Sequence, residues 1–280
     1  MRTINTKTKK KVHSNMKRVF LTLLLLVSAL PLMAQLYHPG EVLDYRVSYK
    51  AKMFPNTEVG MVRVDTKEVM LEGEKRLAVT GYAKTMPAYR LFFRLEDRYT
   101  VYIDPERLIP VRFESDLKEG DYTYESQMDY DWDSLRVKTR WSSRKRPVKT
   151  REMAIEKNSL DAISLFFSMR SAQADQFTEG KVESMRMLLP DTIRTIHYRY
   201  IGREVKKIRN MGKFKTLRFE CELGSSEGFS FTDGTVFTIW ISDDENKIPL
   251  YIESPIRIGS IQAYVSKIKG TKYPLKSKIR

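Results

Sequence analysis

The sequence predicts an all-β fold, a strongly curved antiparallel sheet or barrel-like single domain. One amphipathic helix at about 158–170 packs on or inside it. Apolar and polar residues alternate with period two in many short runs, the pattern of strands with one buried face. Gly, Asp, Asn and Pro clusters separate the runs at short intervals, as in hairpin-rich sheets. Only one segment keeps a convincing helical spacing.

The runs follow in order. Leu43, Tyr45, Val47, Tyr49 and Ala51 alternate with Asp44, Arg46, Ser48, Lys50 and Lys52. Tyr99, Val101 and Ile103 alternate with Arg98, Thr100 and Tyr102, and Val111, Phe113, Ser115 and Leu117 follow Pro110. Further runs cover 122–130, 135–141, 181–189, 192–201, 214–223, 235–241 and 261–268. Glu72-Gly73-Glu74, Asp104-Pro105-Glu106, Glu119-Gly120-Asp121, Asp233-Gly234 and Asp243 to Asn246 read as turns. Each strand has a single apolar face, so the sheet must close around something or be covered. Asn158 is the expected helix cap, ahead of Leu160, Ile163, Phe166, Phe167 and Met169. A weaker helical candidate runs from Met86 to Glu96 and carries Tyr89, Leu91, Phe92, Phe93 and Leu95. No repeat or flexible linker divides residues 35–280, which are read as one domain.

The first 34 residues read as a secretory leader. Met16-Lys17-Arg18 is the charged start, Val19 to Leu30 the apolar stretch, and Ala34 the residue before the cut; residues 1–15 read as an upstream extension. The apolar stretch is shorter than the roughly 20 residues that span a bilayer, so the cleaved chain is not expected to cross one. Gln35 follows the cut where a lipid-anchored chain needs cysteine, so the expected product is exported and not a lipoprotein.

Charge sharpens the choice of partners. The chain has 50 Lys and Arg against 35 Asp and Glu, a net of +15. Seven of the basic residues lie in the leader, which has no acid, leaving +8 afterwards. Outside the cytoplasm a basic surface meets anionic headgroups or polysaccharide, and nucleic acid is not an expected partner. Cys221 is the single cysteine, so no intrachain disulfide forms, and alternation puts its thiol on a buried strand face.

The residues also line up with a known pattern. His38-Pro39-Gly40-Glu41-Val42-Leu43-Asp44-Tyr45 opens the match, followed by Gly60, residues 93–99, and Ile103-Asp104-Pro105 through Pro110. The helix at 160–170, Ile239-Trp240-Ile241-Ser242-Asp243-Asp244, Ile248-Pro249 and Ile258-Gly259-Ser260-Ile261 complete it. In this order they resemble the exported bacterial family known as domain of unknown function 3108. The resemblance implies an exported, periplasmic β-protein of the Gram-negative envelope and brings no catalytic residues.

Candidate chemistry is sparse. Residues 224–228 read G-S-S-E-G, which matches the G-x-S-x-G elbow of serine hydrolases, with Ser226 as nucleophile. No helix pattern follows it, and no histidine lies downstream of His197, so a rim loop is the better reading. No Cys/His cluster has metal-ligand spacing, Asp243 to Asn246 reads as a turn, and no metal or cofactor is expected. Glu96 and Asp97, flanked by Arg90, Arg94 and Arg98, read as a solvated ion-pair face if helical.

Two functional readings remain, neither enzymatic. The first is a lipid or other amphiphile held in a Met- and aromatic-lined interior, with Phe166, Phe167, Met169, Phe92, Phe93, Phe229 and Phe231 as candidate contacts. The second is an envelope protein that engages a partner protein or anionic surface through Arg144, Lys145 and Arg146 beside Trp141. A plain packed core and an edge-protecting charged loop are the bland alternatives.

Overall fold

The computed structural model describes residues 38–51, 54–144, 146–171, 177–223, 236–256 and 259–279. The expected leader falls outside them. The strands are β1 (Val42–Ala51), β2 (Phe54–Leu71), β3 (Glu74–Thr85), β4 (Leu95–Ile103), β5 (Pro110–Glu119), β6 (Tyr122–Asp131), β7 (Arg136–Ser143) and β8 (Arg146–Ala154). The short β9 (Ser159–Leu160) leads into the helix α1 (Ala162–Ser171). Then come β10 (Val182–Leu188), β11 (Ile193–Ile208), β12 (Gly212–Leu223), β13 (Val236–Ser242), β14 (Pro249–Pro255), β15 (Ser260–Lys269) and β16 (Lys278–Ile279).

These strands form one sheet in the order β8-β7-β6-β5-β4-β3-β2-β1-β15-β14-β13-β12-β11-β10-β9, with β16 added beside β12. Neighbours are antiparallel except β9 and β10. Each half is a meander of sequential hairpins, and the halves join where β1 pairs with β15. The β2–β3 hairpin turns on Glu72 and Gly73, both at positive φ, the two-residue turn whose twist matches the flanking strands. Gly202, at φ +133°, sits where the β11–β12 register slips by one residue, a bulge that only a residue without Cβ accommodates readily.

Residues 35–280 form a compact unit, because the sheet curls around its own apolar face. One core cluster draws on Leu43 of β1, Val79 of β3, Val101 and Ile103 of β4, Phe113 of β5, Met128 of β6 and Val137 of β7. The same cluster takes in Leu188 of β10 and Phe214 of β12, from the other half of the sheet. A second cluster joins Tyr200, Phe219, Cys221 and Ile241 to Leu165 of the helix. Cys221 is buried and its thiol is pushed up to about 12 by burial, as the strand pattern predicts.

Helix α1 lies across the concave face and joins both clusters. Phe167 packs with the first and Leu165 with the second. Gly81 of β3 makes room for it: a Cβ there would stand 3.2 Å from the Ile163 Cδ1 atom. The cap is Asp161, not Asn158 as expected. Its carboxylate accepts hydrogen bonds from Ser164 N at 2.9 Å and Ser164 Oγ at 2.7 Å, and Tyr130 OH donates to it at 3.0 Å. The reason is β9, which keeps 159–160 extended and delays the helix. At the other end Arg170 forms a buried two-pronged ion pair with Glu41, at 2.5 and 2.8 Å, and donates to Asn246 O at 3.0 Å.

The second helical candidate does not form a helix. Pro87–Tyr89 makes a single 3₁₀ turn, and the segment goes on as an exposed loop to β4. Glu96 and Asp97 therefore lie on a strand and point oppositely. Glu96 meets Arg90 at 3.0 Å and Arg94 at 3.6 Å, whereas Asp97 turns inward and is buried. Burial, helped by Glu119 and Asp116 and opposed by a hydrogen bond from Lys118 N, raises the Asp97 carboxyl to about 6.

Candidate ligand-binding site

The concave face of β4 to β8 can be read row by row from the register. Val101, Phe113, Met128 and Thr139 occupy one cross-strand row, deep in the core. Two residues along each strand, the next row holds Tyr99, Ser115, Ser126, Trp141 and Lys149. The row beyond carries Asp97, Leu117, Tyr124 and Ser143. The same face thus passes from aliphatic to hydroxyl, phenol, indole and ammonium groups. Ser115 and Ser126 satisfy each other at 2.7 Å.

A pocket of about 570 Å³ opens at this polar end. Tyr122, Tyr124, Trp141, Arg144, Arg146 and Lys149 are among its lining residues, with Asp191 from the β10–β11 turn opposite. The Tyr122 and Tyr124 rings stack with centroids 6.4 Å apart and planes 14° apart. β8 and β9 are the two ends of the sheet order, so among the described residues no backbone ladder closes this seam. Side chains bridge it: Arg151 donates to Asp191 O at 2.5 Å, and Arg186 pairs with Glu156. The pocket occupies the place where the curled sheet fails to zip.

Its electrostatics are lopsided. Arg144, Arg146 and Lys149 form no ion pair among the described residues. Asp121 and Asp191 are the acids in the lining. Burial first, then the Asp191 carboxylate, raises the Tyr124 phenol far above its ordinary value, so it stays neutral. Among the described residues the lining has no imidazole and no thiol.

The predicted site residues divide sharply. Arg144 and Arg146 line the pocket with Trp141; Lys145 lies outside the described residues. Phe167 is fully buried, and Phe166 and Met169 are partly buried against the two core clusters. Phe92 and Phe93 are on the exterior, 86% and 53% exposed, because their segment never forms a helix that lies on the sheet. Phe229, Phe231 and Ser226 lie outside the described residues. His197 is exposed on β11 and bonded to Ser184 Oγ at 2.8 Å through Nδ1. The acidic turn at 243–246 is a fastening: Asp244 accepts from Ser242 Oγ at 2.9 Å and from Asn246 N and Ser277 N at 3.1 Å each.

Sequence reasoning missed Tyr122, Tyr124 and Asp191. The tyrosines had a signal, since i and i+2 on a strand beside a turn share one face. Asp191 had none, because it arrives only when the sheet curls.

A sequence model of the family described as "Protein of unknown function (DUF3108)" matches residues 44–266. The chain belongs to the DUF3108 family. Among solved structures, this DUF3108 chain is similar to a beta-barrel-like protein of the DUF1849 family from Brucella abortus. That match has a TM-score of 0.55 at 8% identity and covers 85% of this chain and 99% of that one. It shows a shared fold. The lipoprotein LppX of Mycobacterium tuberculosis also matches, over 85% of this chain and 90% of its own, at 11% identity and a TM-score of 0.20. A search of the curated proteins finds no match. Among the described residues of this DUF3108 protein, no helix is long and apolar enough to cross a membrane.

Proposed function

We propose that this chain is an exported, non-enzymatic envelope protein that binds an anionic amphiphile at the open end of its curved sheet. The carrying observation is the meeting of unpaired Arg144, Arg146 and Lys149 with Tyr122, Tyr124 and Trp141 around one 570 Å³ pocket. Ligand pockets span roughly 300–1,000 Å³, are lined by apolar and aromatic groups, and carry few polar groups to fix orientation. The aromatic rings suit a hydrocarbon or ring system, and the cations suit a carboxylate, sulfonate or phosphate head. Export rests on the leader pattern of residues 16–34.

The fluorescent anionic amphiphile 1-anilinonaphthalene-8-sulfonate tests the pocket. The folded chain is expected to bind it in a salt-sensitive manner. Arg146→Glu with Lys149→Glu should weaken binding by about tenfold or more, given roughly 1 kcal/mol per charge near an anionic group. Trp141→Ala should weaken it at unchanged salt slope. Binding indifferent to all three substitutions overturns the reading. Cell fractionation tests export, and retention in the cytoplasm would refute it.

A further inference from the structure

The β3–β4 loop ends in an apolar knob. Leu91, Phe92 and Phe93 are 95%, 86% and 53% exposed. Single exposed apolar residues are ordinary, but adjacent large ones are not. The knob is also well formed. The amides of Phe92 and Phe93 both donate to Tyr89 O at 3.0 Å, and Thr85 Oγ1 accepts from Leu95 N at 3.0 Å. Arg90 and Arg94 flank it and share Glu96.

Hydrogen bonds join the knob to the pocket rim. Gly120 N donates to Arg94 O at 2.7 Å, tying it to the β5–β6 turn, which leads to half-exposed Tyr122. Arg144 N donates to Thr123 O at 3.3 Å, tying that turn to the β7–β8 turn with its unpaired Arg144 and Arg146. One edge of the molecule therefore presents apolar side chains, then a tyrosine, then free cations. Glu119 and Asp121 are also on this edge, in the β5–β6 hairpin.

We infer that this edge docks on an anionic lipid bilayer, with Leu91, Phe92 and Phe93 entering the headgroup layer and Arg144 and Arg146 contacting lipid phosphates. Aromatic and aliphatic side chains beside cations are the combination that binds an anionic interface. Three side chains at a hairpin tip fall short of the roughly 1,200 Å² that a stable protein interface buries, which argues against a second copy as the occupant. The inference takes the amphiphile reading as the reason for docking, since the knob brings the pocket mouth to a source of ligand. The two are nevertheless separable.

Residues 35–280, the compact unit, are sedimented with phosphatidylcholine vesicles that contain or lack phosphatidylglycerol. The chain is expected to follow the phosphatidylglycerol vesicles. L91S/F92S/F93S should lose about tenfold or more of that binding, with an unchanged thermal transition because these side chains are exposed. R144E/R146E should lower binding to phosphatidylglycerol vesicles only. The inference fails if the wild type stays in the supernatant, if the triple serine variant sediments like wild type, or if both vesicle types bind equally. It fails too if size exclusion shows a dimer that the triple variant abolishes. Binding of 1-anilinonaphthalene-8-sulfonate without vesicles reports the pocket alone and should survive the triple variant. Its loss with vesicle binding intact would sink only the amphiphile reading.

Discussion

Strands β4 to β8 run through two environments on a single concave face. At one end Val101, Phe113, Met128 and Val137 are almost completely buried in the main core. Toward the other end, two to four residues along the same strands, Ser115 and Ser126 pair with each other and Tyr124, Trp141 and Lys149 open onto a pocket. Side chains alternate between the two faces in the same way at both ends. What differs is the facing layer. Leu188 and Ile208 from the opposite half reach the aliphatic end, and helix α1 packs against the same cluster. Opposite the polar end stands the unzipped seam between β8 and β9, bridged among the described residues by the Arg151 and Arg186 side chains. Period two therefore tells which residues face inward, but not whether inward means dry.

That contrast can be broken most severely at the aliphatic end. Phe113→Ala leaves a cavity among packed neighbours and should cost about 3–5 kcal/mol in urea unfolding. Arg170→Met should cost a similar amount, about 3–5 kcal/mol, because it strands Glu41 as a buried unpaired charge. Adding Glu41→Leu to Arg170→Met should recover much of the loss, and no recovery would show that the pair is not what holds this helix end. Gly81→Val pushes a side chain against Ile163 and should cost about 1–3 kcal/mol by overpacking. A wild-type transition would mean that the helix does not sit tightly on β3.

The polar end should respond more to pH than to truncation. The Asp97 carboxyl rises to about 6 when folded, whereas an unfolded aspartate lies near about 3.9. Between those values the folded state holds more protons, so stability falls as pH rises through the window and the penalty is complete above it. Asp97→Asn should add about 1–2 kcal/mol at pH 7 and flatten that slope; an unchanged slope in urea titrations from pH 4 to 7 would contradict this. Ser115→Ala gives the smallest effect, about 1 kcal/mol, from the orphaned Ser126 hydroxyl. A loss as large as that of Phe113→Ala would erase the distinction between the two ends.

Legibility followed locality. Runs such as Tyr99-Val101-Ile103 and Phe219-Cys221 announced their faces because alternation is a property of adjacent residues. β8 was hidden: RPVKTREMA has no apolar alternation, and it survives as a strand because it is an edge, where dense charge discourages pairing with another chain. The segment 86–96 misled in the other direction. Its aromatic residues suggested a helix seeking cover, but Pro87 starts only one 3₁₀ turn and the side chains stay in solvent. For the site, the cations of the β7–β8 hairpin and Trp141 were visible as a dense basic stretch. The phenylalanines of the helix were visible too, and the structure packs Phe167 into the main core with Phe166 against it.

The sequence by itself determined an all-β chain, the alternating faces of its strands, the approximate place of its helix and its membership of the DUF3108 family. These follow from neighbours in the chain, from residue order and from the steric and hydrogen-bonding preferences of short segments. Only the tertiary structure decided that the helix packs against both core clusters, that Asp191 comes to line the same pocket as Lys149, and that the sheet curls without zipping its last seam. Those depend on the accumulated twist and curl of the whole sheet and on which distant side chains meet across it, and no local pattern records either.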